Sequence, residues 1–335
     1  MKYGSFKGGD AMERLLIFVE TKGERPRKVS MELLSEGQKL RAQGYAVEAV
    51  VMGEASAALK EEVLPCVDRL VNLTDAVLQN YTAEGFALAL ANHVRSVNPK
   101  LILAGATQIG RDFLPRVAVL LGAGIASDVT EIRWKEEPMK VIRPVHGGRA
   151  LSEVSFTDYP AIITTRPNSF PMELSGGAPG EFVEKELGIS TEEVKTKVVR
   201  VEEVTKGKVD VTEADVIVTG GRGLKAPENF ALLEELATLL GGVVGATRSV
   251  VDAKWRGQED QVGKSGKTVS PKLYIAAGLS GAIHHIMGMD TSKMIVAINK
   301  DPNANIFNYA DYGIVGDLFE IIPAMTEDIK KRLGK

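Results

Sequence analysis

A single cysteine, Cys66, occurs in the 335 residues of the chain. That excludes an internal disulfide, a cysteine-based metal cluster and a CxxC redox pair. Any electron chemistry therefore needs an added cofactor. Histidine is scarce as well, with four in the whole sequence. No apolar run approaches the roughly 18 residues needed to cross a bilayer. The opening MKYGSFKGGDAM is polar and glycine-rich, unlike a secretory signal, and reads as a flexible leader of about 12 residues ahead of the first strand. The formal net charge of −3 gives no field to attract nucleic acid or an anionic membrane. These absences describe a soluble, cytoplasmic protein. At roughly 100–200 residues per domain the length suggests two domains. The 44% hydrophobic content is enough for a core in each.

Short β-rich apolar runs alternate with longer helical ones. RLLIFVE (14–20), YAVEAVVMG (45–53) and LILAGAT (101–107) read as strands. Helical patterning falls between and after them, around residues 30–44, 83–98 and 110–122. Gly44 is a plausible C-cap and Pro99 a stop. This rhythm predicts a mostly parallel sheet covered by helices. From Glu131 to Arg166 four strand-like runs follow one another: EIRWK, MKVIRPV, LSEVSF and AIITTRP. They predict an antiparallel addition to the first domain. The polar stretch RPNSFPMELSGGAPGEFVEKELGISTEEVKTK has the composition of a connection. A second βα series starts near Asp215, with DVIVTGGRG, VVGATRSVVDA, KLYIAAGLSG, MIVAINKD and YGIVGDL as its strands. The expected organisation is an N-terminal α/β domain over 1–190, a linker over 191–208 and a doubly wound, Rossmann-like α/β domain over 209–335.

Ligands of open parallel sheets collect beyond the carboxyl ends of the strands. In the second domain each strand exits into small or polar residues: Gly220-Gly221-Arg222-Gly223, Ala246-Thr247-Arg248-Ser249, Gly278-Leu279-Ser280-Gly281, Asn299-Lys300-Asp301 and Gly316-Asp317. Glycines admit a close backbone approach. Helix N-termini and two arginines suit phosphate. Together these exits point to a nucleotide-type cofactor with a diphosphate. GGRG is neither a GxGxxG fingerprint nor a P-loop, and alone it is equally a tight turn with a solvated arginine. QVGKSGKTVSP lacks the GxxxxGK(S/T) spacing, which argues against an ATPase. His284 and His285 are neighbours whose side chains diverge by about 100° on a helix. They cannot form an i, i+4 metal pair, and no cysteine lies near. Both fall in the first turn after Gly281, within reach of a ligand there.

LYIAAGLSGAIHHIMGMDTSKMIVAINKDPNANIFNYADYGIVGDLFEIIP closely resembles the C-terminal region of the electron transfer flavoprotein alpha subunit. GGRG, ATRSVVDA and QVGKSGKTVSP match that family in order and spacing, and AGATQIGRDFLPRVAVLLGAGIASDVTEI resembles its first domain. The resemblance covers nearly the whole chain. It implies an FAD-carrying subunit that pairs with a beta subunit, the first domain mainly making that interface and the second holding the flavin. Carried over by position, Arg222, Asn299, Lys300, Asp317 and Leu318 surround the adenosine and diphosphate. Ser280, Gly281, Ala282, Ile283 and His284 contact the diphosphate and ribityl chain. Thr247, Arg248, Val262, Gly263, Lys264, Ser265 and His285 lie around the isoalloxazine ring. His284 and Lys264 stand where the family usually has Gln, and Ser265 where Thr is common.

The resemblance gives these residues electrostatic roles. A cationic Arg248 and a hydrogen bond from His285 stabilise negative charge added to the ring, and Ser265 donates to N5. The expected function is that of an electron carrier without a bond-making active site. It connects flavin dehydrogenases, or NADH through the beta subunit, to a quinone reductase or ferredoxin, either as a simple carrier or as an electron-bifurcating pair with a second FAD. A stand-alone NAD-dependent oxidoreductase is the alternative from another class. Against it stand the missing Rossmann fingerprint and the missing His–acid pair. A third reading, an adenine-nucleotide-binding regulator using the first domain, meets a strand exit, VETKGERPRKVS, with no glycine-rich phosphate loop.

Overall fold

The computed structural model describes residues 12–202 and 209–334. The expected leader and the end of the expected linker lie outside them. The chain divides into two compact units. One comprises residues up to Arg143, Glu153–Arg166 and Phe170–Val201; the other comprises Pro144–Ser152, Pro167–Ser169 and the chain from Glu202 onward.

The first unit starts with β1 (Arg14–Phe18) and a short antiparallel pair, β2 (Thr21–Lys22) and β3 (Arg25–Pro26). Then come α1 (Lys28–Arg41), β4 (Ala46–Met52), α2 (Ala57–Val63), β5 (Arg69–Thr74), α3 (Ala83–Val97), β6 (Leu101–Gly105) and α4 (Gln108–Leu121). The remaining strands are β7 (Gly124–Val129), β8 (Glu131–Arg133), β9 (Lys140–Val145) and β10 (Ala150–Ser155), the last two running into the Pro144–Ser152 segment of the second unit, and then β11 (Ala161–Thr165) and β12 (Glu181–Glu186). The main sheet runs β12-β5-β4-β1-β6-β11-β7, with every neighbouring pair parallel. Its central strands are continuous apolar runs because helices cover both faces. Phe18, Phe86 and Phe113 pack edge to face on one side, and Leu15, Leu33 and Leu70 belong to the core on the other. A fully buried side chain of this size contributes about 1.5–3 kcal/mol.

Local chemistry sets the helix ends. Thr82 and Thr107 cap α3 and α4 by accepting from Gly85 and Gly110 N–H. Asn98 and Gly122 close them in the left-handed conformation. The structure changes two expectations here. AIITT is not part of an antiparallel addition: β11 inserts between β6 and β7 in the parallel sheet, and only β8, β9 and β10 form the small separate sheet, with β8 and β9 antiparallel. The polar connection contains a strand, β12, which pairs in register with β5.

The second unit is simpler. Its strands are β13 (Val216–Gly220), β14 (Val243–Ala246), β15 (Leu273–Ala277), β16 (Ile295–Asn299) and β17 (Tyr312–Val315). Its helices are α5 (Phe230–Leu239), α6 (Arg248–Asp252), α7 (Ile283–Ile286) and α8 (Leu318–Leu333). The sheet is parallel, in the order β14-β13-β15-β16-β17. The VVGATRSVVDA run is a strand only to Ala246; Arg248–Asp252 turns into the short α6. Ile217, Tyr274 and Ile306 pack on one face of the sheet, and Leu233, Phe230 and Ile322 on the other. No helix among the described residues is long and apolar enough to cross a membrane.

Candidate functional site

The second sheet reverses its winding between β13 and β15, since β14 lies on one side of β13 and β15 on the other. Ligands of doubly wound sheets bind at such a switch point. Here the two strand-exit loops cross. Gly221 N–H donates to Ala277 O at 3.0 Å, and Gly223 N–H to Gly278 O at 2.9 Å. A Cβ on Gly221 would stand 2.4 Å from Gly278 O, and one on Gly223 2.6 Å from the same atom. The GGRG glycines thus let two backbones meet. The Gly221 and Gly223 amides are spent on that crossing, which accords with the tight-turn reading of GGRG.

Beyond the crossing opens a cleft of about 560 Å³, within the usual range of about 300–1,000 Å³ for cofactor sites. The exit of β13 supplies Arg222 to its wall, and the exit of β14 supplies Thr247 and Arg248. The 261–267 loop adds Val262, Gly263 and Ser265. The exit of β15 adds Ser280, Gly281, Ala282, His284 and His285, and β16 adds Asn299. A recess of about 190 Å³ shares Arg222 and Asn299 and adds Lys300, Asp317 and Leu318. Two expected residues, Lys264 and Ile283, are on neither wall. The Lys264 N–H instead donates to His284 O at 2.7 Å, closing the loop against α7. Gly281 has φ 76°, and a Cβ there would stand 2.4 Å from Ile306 N, so this turn accepts no side chain.

Most of the framework is self-satisfied. Asn299 Nδ2 donates to Leu279 O at 2.9 Å, and Asn299 Oδ1 accepts from Asp301 N–H at 3.0 Å. Asn299 therefore shapes the cleft as much as it lines it. Gln261 Nε2 donates to Ser265 Oγ at 3.1 Å, which leaves the serine proton to point elsewhere. Asp317 caps the sixteen-residue α8 by accepting from Phe319 N–H at 2.9 Å. By contrast α7 is a single turn of four residues, so the helix dipole expected after Gly281 is small.

His285 is buried, and both its ring nitrogens are engaged. Nδ1 lies 3.1 Å from Val262 O. A carbonyl only accepts, so Nδ1 carries the proton. Nε2 then accepts from the Tyr274 hydroxyl at 2.9 Å. Burial pushes this imidazole down to about 4, while the bond to the Val262 carbonyl works upward. The N–H expected from His285 toward a ligand is therefore already committed, and the ring is neutral near pH 7. Arg222 and Arg248 are the exposed cations on the wall, Arg248 in a 3.4 Å ion pair with Asp252. Asp301, at the β16 exit already read from the sequence, and Asp252 line the cleft too; Asp252 was missed, although its i, i+4 spacing from Arg248 was a legible signal.

The donor set suits an anionic dinucleotide. Arg222, Arg248 and Lys300 supply positive charge, exposed hydroxyls stand at Ser249 and Ser280, and the cleft and recess share Arg222 and Asn299. Residues 15–206 match the electron transfer flavoprotein domain model, and residues 210–290 match the electron transfer flavoprotein FAD-binding domain model. Electron transfer flavoprotein subunit alpha of Thermoanaerobacterium thermosaccharolyticum is 41% identical over 320 residues, covering 94% of this chain and 97% of the relative. The chain belongs to the electron transfer flavoprotein alpha-subunit family. The Bacillus subtilis subunit alpha is 36% identical over 95% of this chain and 98% of its own length. Protein FixB of Azotobacter vinelandii is 41% identical over 92% and 88%. As an electron transfer flavoprotein alpha subunit the chain has an FAD-binding domain, and its cofactor is FAD.

Proposed function

We propose that the chain is the FAD-carrying half of a heterodimer with an electron transfer flavoprotein beta subunit. The pair passes electrons from flavin dehydrogenases, or from NADH through the beta subunit, to a quinone reductase or ferredoxin in the cytoplasm. The observation that carries this reading is the cleft at the β13–β15 switch point, lined by Arg222 and Arg248 and continued by the Lys300–Asp317 recess.

FAD, when bound, supplies one- and two-electron redox chemistry that no side chain of this protein has. The residues of the chain bind and tune it. Arg222, Lys300 and the start of α8 at Leu318 hold the adenosine and diphosphate end. Ser280, Gly281 and Ala282 hold the middle of the molecule, together with His284. Thr247, Arg248, Val262, Gly263, Ser265 and His285 surround the ring system. Arg248 opposes negative charge there, and the Ser265 hydroxyl, accepting from Gln261, keeps its own proton for a ring nitrogen. Lys264 acts through its charge and through its backbone bond to His284.

Co-expression with the beta subunit and a visible spectrum test the reading. The expected result is a yellow heterodimer with flavin bands. A colourless protein that binds NAD would overturn it. Counting FAD per pair then separates a simple carrier, with one, from a bifurcating pair, with two.

A further inference from the structure

Two buried polar side chains, Tyr274 and Thr219, lie off the cleft wall and have no part in holding a ligand. Tyr274 is fully buried, and its hydroxyl is 2.9 Å from His285 Nε2. Thr219 is fully buried as well, and its Oγ1 has no hydrogen-bond partner. In the parallel pairing of β13 and β15, Ile217 aligns with Tyr274 and Thr219 with Ala276. Thr219 therefore stands one step along the same face as Tyr274, near enough to bear on the ionisation of the phenol. A buried hydroxyl left without a partner is costly, and an orphan of this kind calls for an explanation.

We propose that Tyr274 and Thr219 form a reversible hydroxyl pair that lets His285 take up a proton on Nε2 when negative charge is placed in the cleft. This rests on the reading that FAD occupies the cleft. In the neutral state the chain of donors is fixed. Nδ1–H donates to Val262 O, Tyr274 O–H donates to Nε2, and Thr219 waits without a partner. When Nε2 binds one proton from solvent, it becomes a donor and the tyrosine oxygen its acceptor. The tyrosine proton then needs a new acceptor, and Thr219 Oγ1, one step along the same face of the sheet and without a partner, is placed to be it. No covalent bond other than the new N–H forms, none breaks, and one positive charge is added opposite the new negative one. A hydroxyl can serve both states because it donates and accepts.

Charge decides when this happens. Burial keeps the imidazole neutral near pH 7, with its pKa down at about 4. An opposite charge within about 4–6 Å favours the protonated form by roughly 10- to 1,000-fold. The other charged groups facing the cleft are Arg222, Arg248, Asp252 and Asp301. Lys264 is on the adjoining loop, and His284, on the same turn, is exposed. In the absence of added charge the cations disfavour a further proton and the two aspartates favour it.

The test uses the FAD-loaded heterodimer and the variants Thr219→Val and Tyr274→Phe. In the wild type, the equilibrium constant for adding the first electron to FAD is expected to rise toward tenfold per pH unit as pH falls from about 7 to 5.5, a slope of 59 mV for one electron. Thr219→Val is expected to flatten that slope while leaving FAD content unchanged, since it keeps the Tyr274–His285 bond of the neutral state. Tyr274→Phe is expected to flatten it as well. In 15N-histidine spectra, Nε2 of His285 is expected to change from unprotonated to protonated on reduction in the wild type only. Equal slopes in wild type and Thr219→Val, or an unprotonated Nε2 in both redox states, would overturn the inference alone. A heterodimer that takes up no FAD would overturn the reading of the cleft and this inference with it.

Discussion

The crossing of the β13 and β15 exit loops makes Gly221 the most sharply testable position in the second unit. Replacing it by alanine places a methyl group 2.4 Å from Gly278 O and 2.6 Å from Leu279 Cβ. Its φ of −107° is ordinary, so the penalty is contact and not backbone conformation. Overpacking of this kind costs about 1–3 kcal/mol. Parting the loops also weakens the 3.0 Å bond from Gly221 N–H to Ala277 O, worth about 1 kcal/mol. The smaller entropy of the unfolded alanine chain offsets about 0.4–1 kcal/mol. The net expectation is a loss of roughly 1–3.5 kcal/mol. Gly241→Ala is the matched control: nothing lies within 4 Å of its added Cβ, but its φ is +66°, so it carries the left-handed penalty of about 1–2 kcal/mol less the same unfolded-chain offset. The chain has two tryptophans, Trp134 in the first unit and Trp255 in the second. Urea unfolding of the FAD-free chain in a Trp134→Phe background, followed by Trp255 fluorescence, reports the second unit alone. Working without FAD keeps ligand binding from masking the change. A Gly221→Ala loss no larger than that of Gly241→Ala would refute the steric account of the crossing.

His285 ties stability to pH. Its folded pKa is lowered to about 4 from an unfolded value of 6.5, so below pH 6.5 the unfolded chain binds a proton that the native one refuses. Its contribution is complete above pH 6.5 and is lost as pH falls toward 4, up to about 3 kcal/mol; urea midpoints of wild type and His285→Gln should converge in their pH dependence only above that window. Arg248→Ala should disfavour the first electron on FAD at least tenfold while changing FAD affinity by less, because the side chain is exposed and its charge is its main contribution; a reductive titration unchanged from wild type would remove Arg248 from that role. In the first unit, burial raises the Asp128 carboxyl but Arg166 and Arg111 more than reverse it and hold it below the usual range. Arg166 grips Asp128 through Nε at 3.1 Å and Nη2 at 2.6 Å. Arg166→Leu removes both bonds but leaves Arg111 Nη2 at 3.0 Å from Asp128 Oδ1, so the loss should be about 1.5–3 kcal/mol, that of a charged hydrogen bond, read by Trp134 fluorescence during urea unfolding.

The limits of sequence reading follow from where each piece of information resides. Apolar runs such as RLLIF and LYIAA announced parallel strands because both their faces are buried. The strand β12, EFVEKE, did not announce itself: an edge strand keeps charges on its exposed positions and looks like a linker. The insertion of β11 between β6 and β7 left no local trace either, because strand neighbours are chosen over distances that periodicity does not span. The same division holds at the cleft. Its wall was legible because strand exits are local features, although the glycines there are small for packing reasons, Gly221 and Gly223 at the loop crossing and Gly281 against Ile306. What the wall can do was not legible. Whether the Gly221 amide faces a ligand depends on Ala277, and whether His285 has a proton to give depends on Tyr274, eleven residues before it, and Val262, twenty-three before it. A histidine beside a glycine turn reads as a donor in sequence, yet a carbonyl on one nitrogen and a phenol on the other make it a neutral acceptor. The cleft therefore obtains fixed positive charge from Arg222 and Arg248 and can obtain more from His285 only by binding a proton, so the pH dependence of the first-electron equilibrium assigned to His285 must flatten when Thr219 loses its hydroxyl.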